Sequence, residues 1–466
     1  MPDPIADIYI GVLTRGASLR QWEASGLIER RGAMLAKLAE HYPRLLLVSF
    51  GDDDDHEIAQ RLPGAPEVVP LGQGPRSPNT TPARVGRIID AVMSRETRSC
   101  VIRTDRMDDD GVADELLFGL RELGVGAALI ARGGYLRSRF VAKTHGPASR
   151  QAIEAGRDEE RLCAAADLVV GTTGVMIDEL AWRFALGAER TRVIPNYVID
   201  TVPAGVSDQR DEKRILCAGR LNARKQFDLI IRAVAALPEP LRDGLTVEIV
   251  GQGPERDALG ELGDALGVRV ELPGALPHTE LLERMRRCAV FCQASAFEGH
   301  PKTVLEAMSV GCAVIVANTP GLGAIVSNGI TGLVVPPKPE SFTFAISGLL
   351  EDPFMRSTLG GAARDHARDR YGLRRIARLE LDAHRDALAL SRLHGHDRFQ
   401  RQSVRWRSPL LHADPREQRR AWSRSLEAFI QRLPEGERAS LLADLQKQLR
   451  TMLGDHTPGH AGGEAA

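Results

Sequence analysis

The sequence predicts an α/β protein made of two successive doubly wound domains, and three observations carry that prediction. Short apolar runs rich in β-branched residues alternate with amphipathic stretches along most of the chain, the pattern of strand–helix units around a parallel sheet. The alternation is interrupted once, over Asp200–Lys213, where apolar content falls and Pro203, Gly205 and several charges cluster, and it then restarts. Finally, 466 residues exceed what one hydrophobic core usually supports, about 250–300 residues.

In the first half the predicted strands are Asp7–Leu13, Leu45–Phe50, Cys100–Thr104, Ala127–Ala131, Asp167–Gly171 and Arg192–Ile194, with helices such as Ser149–Ala165 and Val175–Phe184 between them. After the break they are Arg214–Ala218, Thr246–Val250, Val268–Leu272, Ala289–Gln293, Ala313–Ala317 and Gly332–Val335. The intervening helix Gln226–Leu237 carries Phe227, Ile230, Ile231 and Val234 as one apolar stripe. Residues 391–425 hold nine arginines with Trp406 and Trp422 interspersed, Ser423–Leu453 has helical periodicity, and the Gly- and Ala-rich end from Thr457 has the composition of a disordered tail.

Composition narrows the function. A formal net charge of −1 gives no signal for nucleic acid. Six scattered cysteines without a Cys-x-x-Cys pair fit a reducing compartment rather than a disulfide framework or a zinc site. No secretory signal and no membrane-length apolar run is read, so a cytoplasmic location is expected, with peripheral contact to the inner membrane face through 391–425, where arginine and tryptophan together suit an anionic lipid surface.

In doubly wound sheets ligands bind beyond the carboxyl ends of the strands, so the segments just after strands carry the chemistry. Glu298-Gly-His-Pro-Lys-Thr-Val-Leu-Glu306 follows a strand and opens a helix whose first amides form a phosphate site. Its two carboxylates suit vicinal hydroxyls at opposite ends of one ligand. Gly219-Arg220-Leu-Asn-Ala-Arg-Lys225 follows the Arg214–Ala218 strand. There Gly219 allows close backbone approach, and Arg220 and Lys225 bring two cations suited to a diphosphate. Gly251-Gln-Gly-Pro-Glu255 follows the next strand but lacks the last glycine of Gly-x-Gly-x-x-Gly, and no Walker-type loop is present.

Taken together, Arg220 and Lys225 five apart, Gly251-Gln-Gly-Pro, Leu272-Pro-Gly, Val193-Ile-Pro-Asn-Tyr-Val-Ile-Asp200 and Glu298-x7-Glu306 resemble the retaining GT-B nucleotide-sugar glycosyltransferases of the family 4 type, from about Ala166 to Pro337. The resemblance implies the GT-B fold, two Rossmann-like domains facing a cleft, with a helical C-terminal extension. It places an acceptor domain over 1–205, a donor domain over 206–370, a helix over 371–392 crossing back to the first domain, and an Arg-rich extension over 393–466. It assigns Arg220 and Lys225 to the donor diphosphate, Glu298 to a donor-sugar hydroxyl and Glu306 to the ribose. The amides of His300, Lys302 and Thr303, beside Pro301, bind sugar and phosphate, Gly219 and Gly251 border the donor, and Gly16 lies near the phosphates and acceptor. The implied reaction moves a hexosyl group from a nucleotide diphosphate sugar to a sugar, glycan or lipid-linked acceptor. It proceeds with retention and without metal or other cofactor, as in surface polysaccharide or glycolipid synthesis.

The sequence also departs from that family. Pro301 removes an amide from the sugar-binding loop, Ala324 stands where many relatives have glutamate, and Arg132-Gly-Gly-Tyr135 occupies the place of a common His-Asp pair. Arg132 and Tyr135 are therefore candidates for the acceptor side, with a structural turn as the plainer reading; His145 reads as a solvated residue. Asp52–Asp55 and Asp108–Asp110 each contain Asp-x-Asp, the pattern of a metal-dependent transferase, but sit in acid-rich loops. A nucleotide-sugar epimerase and a catalytically silent nucleotide-sugar-binding protein are the alternatives.

Overall fold

The computed structural model describes residues 3–72, 80–109, 111–199 and 210–405, with side chains omitted for 80–81 and 394–405. The linker candidate from Asp200 to Gln209, the boundary at 205/206, Asp110, and the extension beyond Arg405, including Trp406, Trp422 and Ser423–Leu453, lie outside these residues. Two compact units divide at Leu393/His394, and the first of them, Met1–Leu393, holds both sheets.

Among the described residues the first sheet is formed by β1 (Ile8–Val12), β2 (Arg44–Ser49), β3 (Glu67–Pro70), β4 (Ser99–Thr104), β5 (Gly126–Gly133), β6 (Leu168–Gly171) and β7 (Thr191–Val193), in the order β3-β2-β1-β4-β5-β6-β7. The second contains β8 (Asp211–Ala218), β9 (Thr246–Val250), β10 (Arg269–Gly274), β11 (Cys288–Gln293), β12 (Val314–Ala317) and β13 (Leu333–Val335), in the order β10-β9-β8-β11-β12-β13. All pairings are parallel. Central strands covered by helices on both faces need apolar residues on both, so β11 (Cys-Ala-Val-Phe-Cys-Gln) is buried at every position. The strand order reverses between β1 and β4 and again between β8 and β11, and at such reversals the following loops diverge and leave a crevice.

The GT-B architecture is therefore present, with three differences from the sequence reading. β3 was not foreseen, because its four residues end in Pro70 and give no alternating pattern. Asp211–Lys213 belongs to the exposed start of β8 rather than to a linker. The returning helix has no break at 392 and runs from Leu373 to Arg405.

That helix ties the first domain together. The Val198 amide donates to the Tyr371 carbonyl at 2.8 Å and the Leu373 amide to the Val198 carbonyl at 3.0 Å, so the two crossing points of the chain are bonded to each other. Beyond them Ile376, Ala377, Leu381, Ala383, Ala387 and Leu388 enter the core that holds Tyr9, Leu45 and Val101. On the same face Glu380 receives Arg103 (3.0 Å) and Arg132 (2.8 Å) and is 3 % exposed. Burial alone would raise its pKa, but the two guanidiniums outweigh burial and hold it at about 2.

Glu380→Ala leaves two guanidiniums buried without a carboxylate, and it is expected to cost about 3–5 kcal/mol in a urea titration. The depressed pKa also sets a pH dependence. The contribution is complete above the unfolded carboxylate value of 4.5 and is lost as pH falls from there toward about 2. A difference between the parent and Glu380→Gln that shrinks over this interval is the expected signature, and a constant difference would contradict it.

Candidate functional site

The two crevices face each other. Between them lies a cavity of about 570 Å³, lined from the first domain by residues including Leu13, Arg30, Arg31, Asp105, Arg106 and Tyr135 and from the second by Arg220, Asn222, Arg224, Lys225 and 298–303.

On the second domain the local backbone explains the placement. β8 and β11 are neighbours, so the loops that follow them emerge side by side. The β8 loop tightens into a short 3-10 turn, Ala223–Lys225, closed by Gln226 at φ 50°, and this turns Lys225 back toward the cavity. The Ala296 amide then donates to the Arg224 carbonyl (2.9 Å), and the Arg224 guanidinium donates to the Phe297 carbonyl (2.9 Å). Cross-bonded in this way, the loops bring Lys225 Nζ to 2.7 Å and Arg224 Nη1 to 2.8 Å from the same oxygen, Glu298 Oε1. Burial works to protonate Glu298, but the two cations prevail and its pKa is lowered, so it stays a carboxylate acceptor.

Arg220 is exposed at the cavity and makes no ion pair among the described residues, which leaves its guanidinium available to a ligand. The helix Lys302–Ser309 starts directly after Pro301, an extended N-cap at φ −69°, and a helix start offers free amides and partial positive charge suited to an anion. Pro301, Lys302 and Thr303 all line the cavity. His300 lines it too and is 8 % exposed. Its Nδ1 has no partner among the described residues, its ring lies 5.4 Å from that of Tyr371, and its carbonyl accepts from Asn196 at 2.7 Å. Burial, with help from Arg132 and Arg30, lowers its pKa to about 4.

Several predicted residues occupy other positions. Glu306 is buried behind the cavity wall, 3.2 Å from His278 Nε2 and 3.6 Å from Arg30 Nη1, so a ribose would have to reach it past both. Gly219 is absent from the cavity lining, and a Cβ there would meet Lys225 Cε at 2.9 Å, so the glycine makes room for the lysine stem. Gly251, at φ 148°, sits behind it, and any side chain would strike the Gly219 carbonyl. Gly16 is in a left-handed turn after β1 (φ 75°) with open space around it, and it too is absent from the lining. Arg132 lines the cavity but is committed to Glu380, whereas Tyr135 presents its ring and accepts from Arg106 at 3.2 Å. His145 is exposed at the end of the helix Arg137–His145.

The acid-rich loops have structural roles at the described positions. Asp55 is buried and bonds Ser49 and the Arg20 amide, while Asp109 caps the helix Val112–Glu122 and pairs with Arg161 at 3.3 Å. Sequence reasoning missed Arg30, Arg31, Asp105, Arg106 and Arg224. Asp105-Arg106 directly follows β4, the strand at the switch point, and Arg224 lies inside the recognised motif, so both signals were available.

Comparison with known proteins bears on the second domain most directly: residues 200–366 match the family described as Glycosyl transferases group 1. The match falls on the second domain, the one that carries the β8 and β11 loops. Relatives include D-inositol 3-phosphate glycosyltransferase of Kribbella flavida, 30 % identical over 251 residues (49 % of this chain, 58 % of the relative), and glycogen synthase of Mycobacterium tuberculosis, 29 % identical over 47 % of this chain and 54 % of the relative. The chain thus spans about half the length of the curated relatives it matches. Across both domains the fold resembles sucrose-phosphate synthase of Thermosynechococcus elongatus (TM-score 0.64, 20 % identity, 82 % of this chain and 99 % of that one). It also resembles HepE of Anabaena, solved with UDP and glucose (TM-score 0.62, 18 % identity, 80 % of this chain and 98 % of that one). Within the matched segment, Arg220, Arg224, Lys225 and Glu298 line one end of the cavity.

The buried His300 ring is expected to titrate with a midpoint near 4 in NMR spectra, the signal being assigned by its loss in His300→Gln. The depressed pKa makes the group destabilising as pH falls below 6.5, the unfolded value, toward 4. A midpoint near 6.5 would contradict the buried placement.

Proposed function

We propose that the chain is a glycosyltransferase that moves a hexosyl group from a nucleotide diphosphate sugar, held by the second domain, to an acceptor held by the first domain. The observation that carries this reading is the convergence of the unpaired Arg220, the Lys225–Glu298–Arg224 cluster and a helix start on one end of the interdomain cavity. As the bond between the anomeric carbon and the diphosphate oxygen breaks, negative charge grows on that oxygen. Arg220, Lys225 and the amides at the head of the helix are the groups that would stabilise it. The Glu298 carboxylate accepts from a sugar hydroxyl while its pairing keeps it ionised. Glu306 serves the ribose once Arg30 withdraws from it.

The cationic side chains do the work that a divalent ion does in other transferases, so the reaction proceeds without metal. The family resemblance supports retention, with the acceptor attacking from the face the diphosphate leaves and the departing phosphate oxygen taking the acceptor proton. Enclosure between two domains limits donor hydrolysis. UDP-glucose is the first donor to test, since HepE, which shares the fold, was solved with it.

Release of nucleoside diphosphate from a panel of nucleotide sugars, in the presence of candidate acceptors, is the deciding assay. Arg220→Ala and Lys225→Ala are each expected to lower kcat by about 10²-fold or more, the scale for losing one charge-stabilising donor. A chelator is expected to leave turnover unchanged. Near-normal turnover in both variants would remove the basis of the assignment.

A further inference from the structure

The cavity carries more positive charge than a donor can use. Nine cationic side chains line it: Arg220, Arg224 and Lys225 at the donor end, and Arg30, Arg31, Arg103, Arg106, Arg132 and Lys302 at the other. The lining carboxylates are Asp105 and Glu298, and directly behind the wall stand Glu306 and Glu380. At the donor end one carboxylate faces three cations, a surplus that matches the roughly two negative charges of a diphosphate diester. At the far end three carboxylates face six cations, and a full donor complement leaves that surplus in place.

The individual pairings locate it. Arg103 and Arg132 share Glu380, Arg31 holds Asp105, and Arg30 reaches Glu306. Arg106 and Lys302 have no ion pair among the described residues. Arg106 leans on the Tyr135 ring, 5.5 Å from its centroid, and Lys302 is pressed by Arg30, by burial and by Arg31, which drive its pKa well below the ordinary lysine value. Concentrating like charges in a partly enclosed cleft is unfavourable unless an anion fills it.

We propose that the acceptor carries an anionic group, a phosphate or a carboxylate, bound by Arg106 and Arg31 on the first-domain wall and by Lys302, which reaches across from the second domain. The group sits beside the Tyr135 ring, which gives the adjoining sugar or polyol an apolar face to lie against. The proposal rests on the transferase reading above, and its test separates the two.

Isothermal titration first establishes which of UDP, GDP and ADP binds the full chain. Inorganic phosphate, glucuronate and glucose are then titrated, at fixed ionic strength, into protein saturated with that nucleotide. Phosphate or glucuronate is expected to bind at least tenfold more tightly than glucose, and the tighter of the two anions identifies the group. Arg106→Glu is expected to weaken that anion at least tenfold while nucleotide affinity stays within twofold; Arg31→Gln provides a second variant judged in the same way. Binding no tighter than that of glucose, or anion affinity unchanged in both variants, overturns the proposal and leaves the donor site standing. Failure of all three nucleotides to bind the parent overturns the transferase reading, and this proposal with it.

Discussion

The arrangement of the site depends on one electrostatic constraint: Glu298 is nearly buried, and two cations from the neighbouring loop meet at a single oxygen of its carboxylate. A buried carboxylate is tolerable only when paired, and a buried lysine likewise; the cations keep Glu298 ionised, while Glu298 offsets only part of the burial that lowers the Lys225 pKa. The pairing fixes the β8 loop to the β11 loop, sets the entry to the helix Lys302–Ser309, and leaves Arg220 exposed as the outermost cation. Glycine is required at 219 and 251 for the same reason, because the lysine stem and the adjoining loop occupy the space a side chain would take.

A second buried charge group does for the first domain what this cluster does for the second. Glu380, brought by the returning helix, neutralises Arg103 and Arg132 beneath the cavity floor, and the helix packs its apolar side into the same core. Arg132 thereby becomes part of the scaffold, while Tyr135 and Arg106 face the cleft beside Arg30, Arg31 and Asp105. The two domains also touch around the rim: Gly299 packs on the Gly134 carbonyl, and Asn196 bonds the His300 carbonyl. The loop 298–301 is thus shaped in part by the opposite domain.

Much of this was legible in the chain itself. Continuous apolar runs marked the buried parallel strands, and the spacing of Arg220, Lys225 and Glu298 marked one wall of the cavity, with Glu306 behind it. β3 escaped because four residues ending in proline carry no period. Arg30 and Arg31 escaped because their helix pairs them with partners distant in sequence, Glu306 and Asp105, which no local pattern reports. Gly16, Gly219 and Gly251 read in sequence as glycines bordering a ligand, and in the structure they also serve a turn and loop packing. That distinction rests on atomic distances rather than on residue type.

The central claim is that a nucleoside diphosphate occupies the cavity between the two switch points, against the β8 loop. All six native cysteines are buried, so a thiol introduced by Asn222→Cys, on the cavity wall, would be the accessible one. Its alkylation rate with and without saturating nucleoside diphosphate reports occupancy directly. Strong protection is predicted, and an unchanged rate on protein that demonstrably binds the nucleotide would place the ligand elsewhere and contradict the assignment.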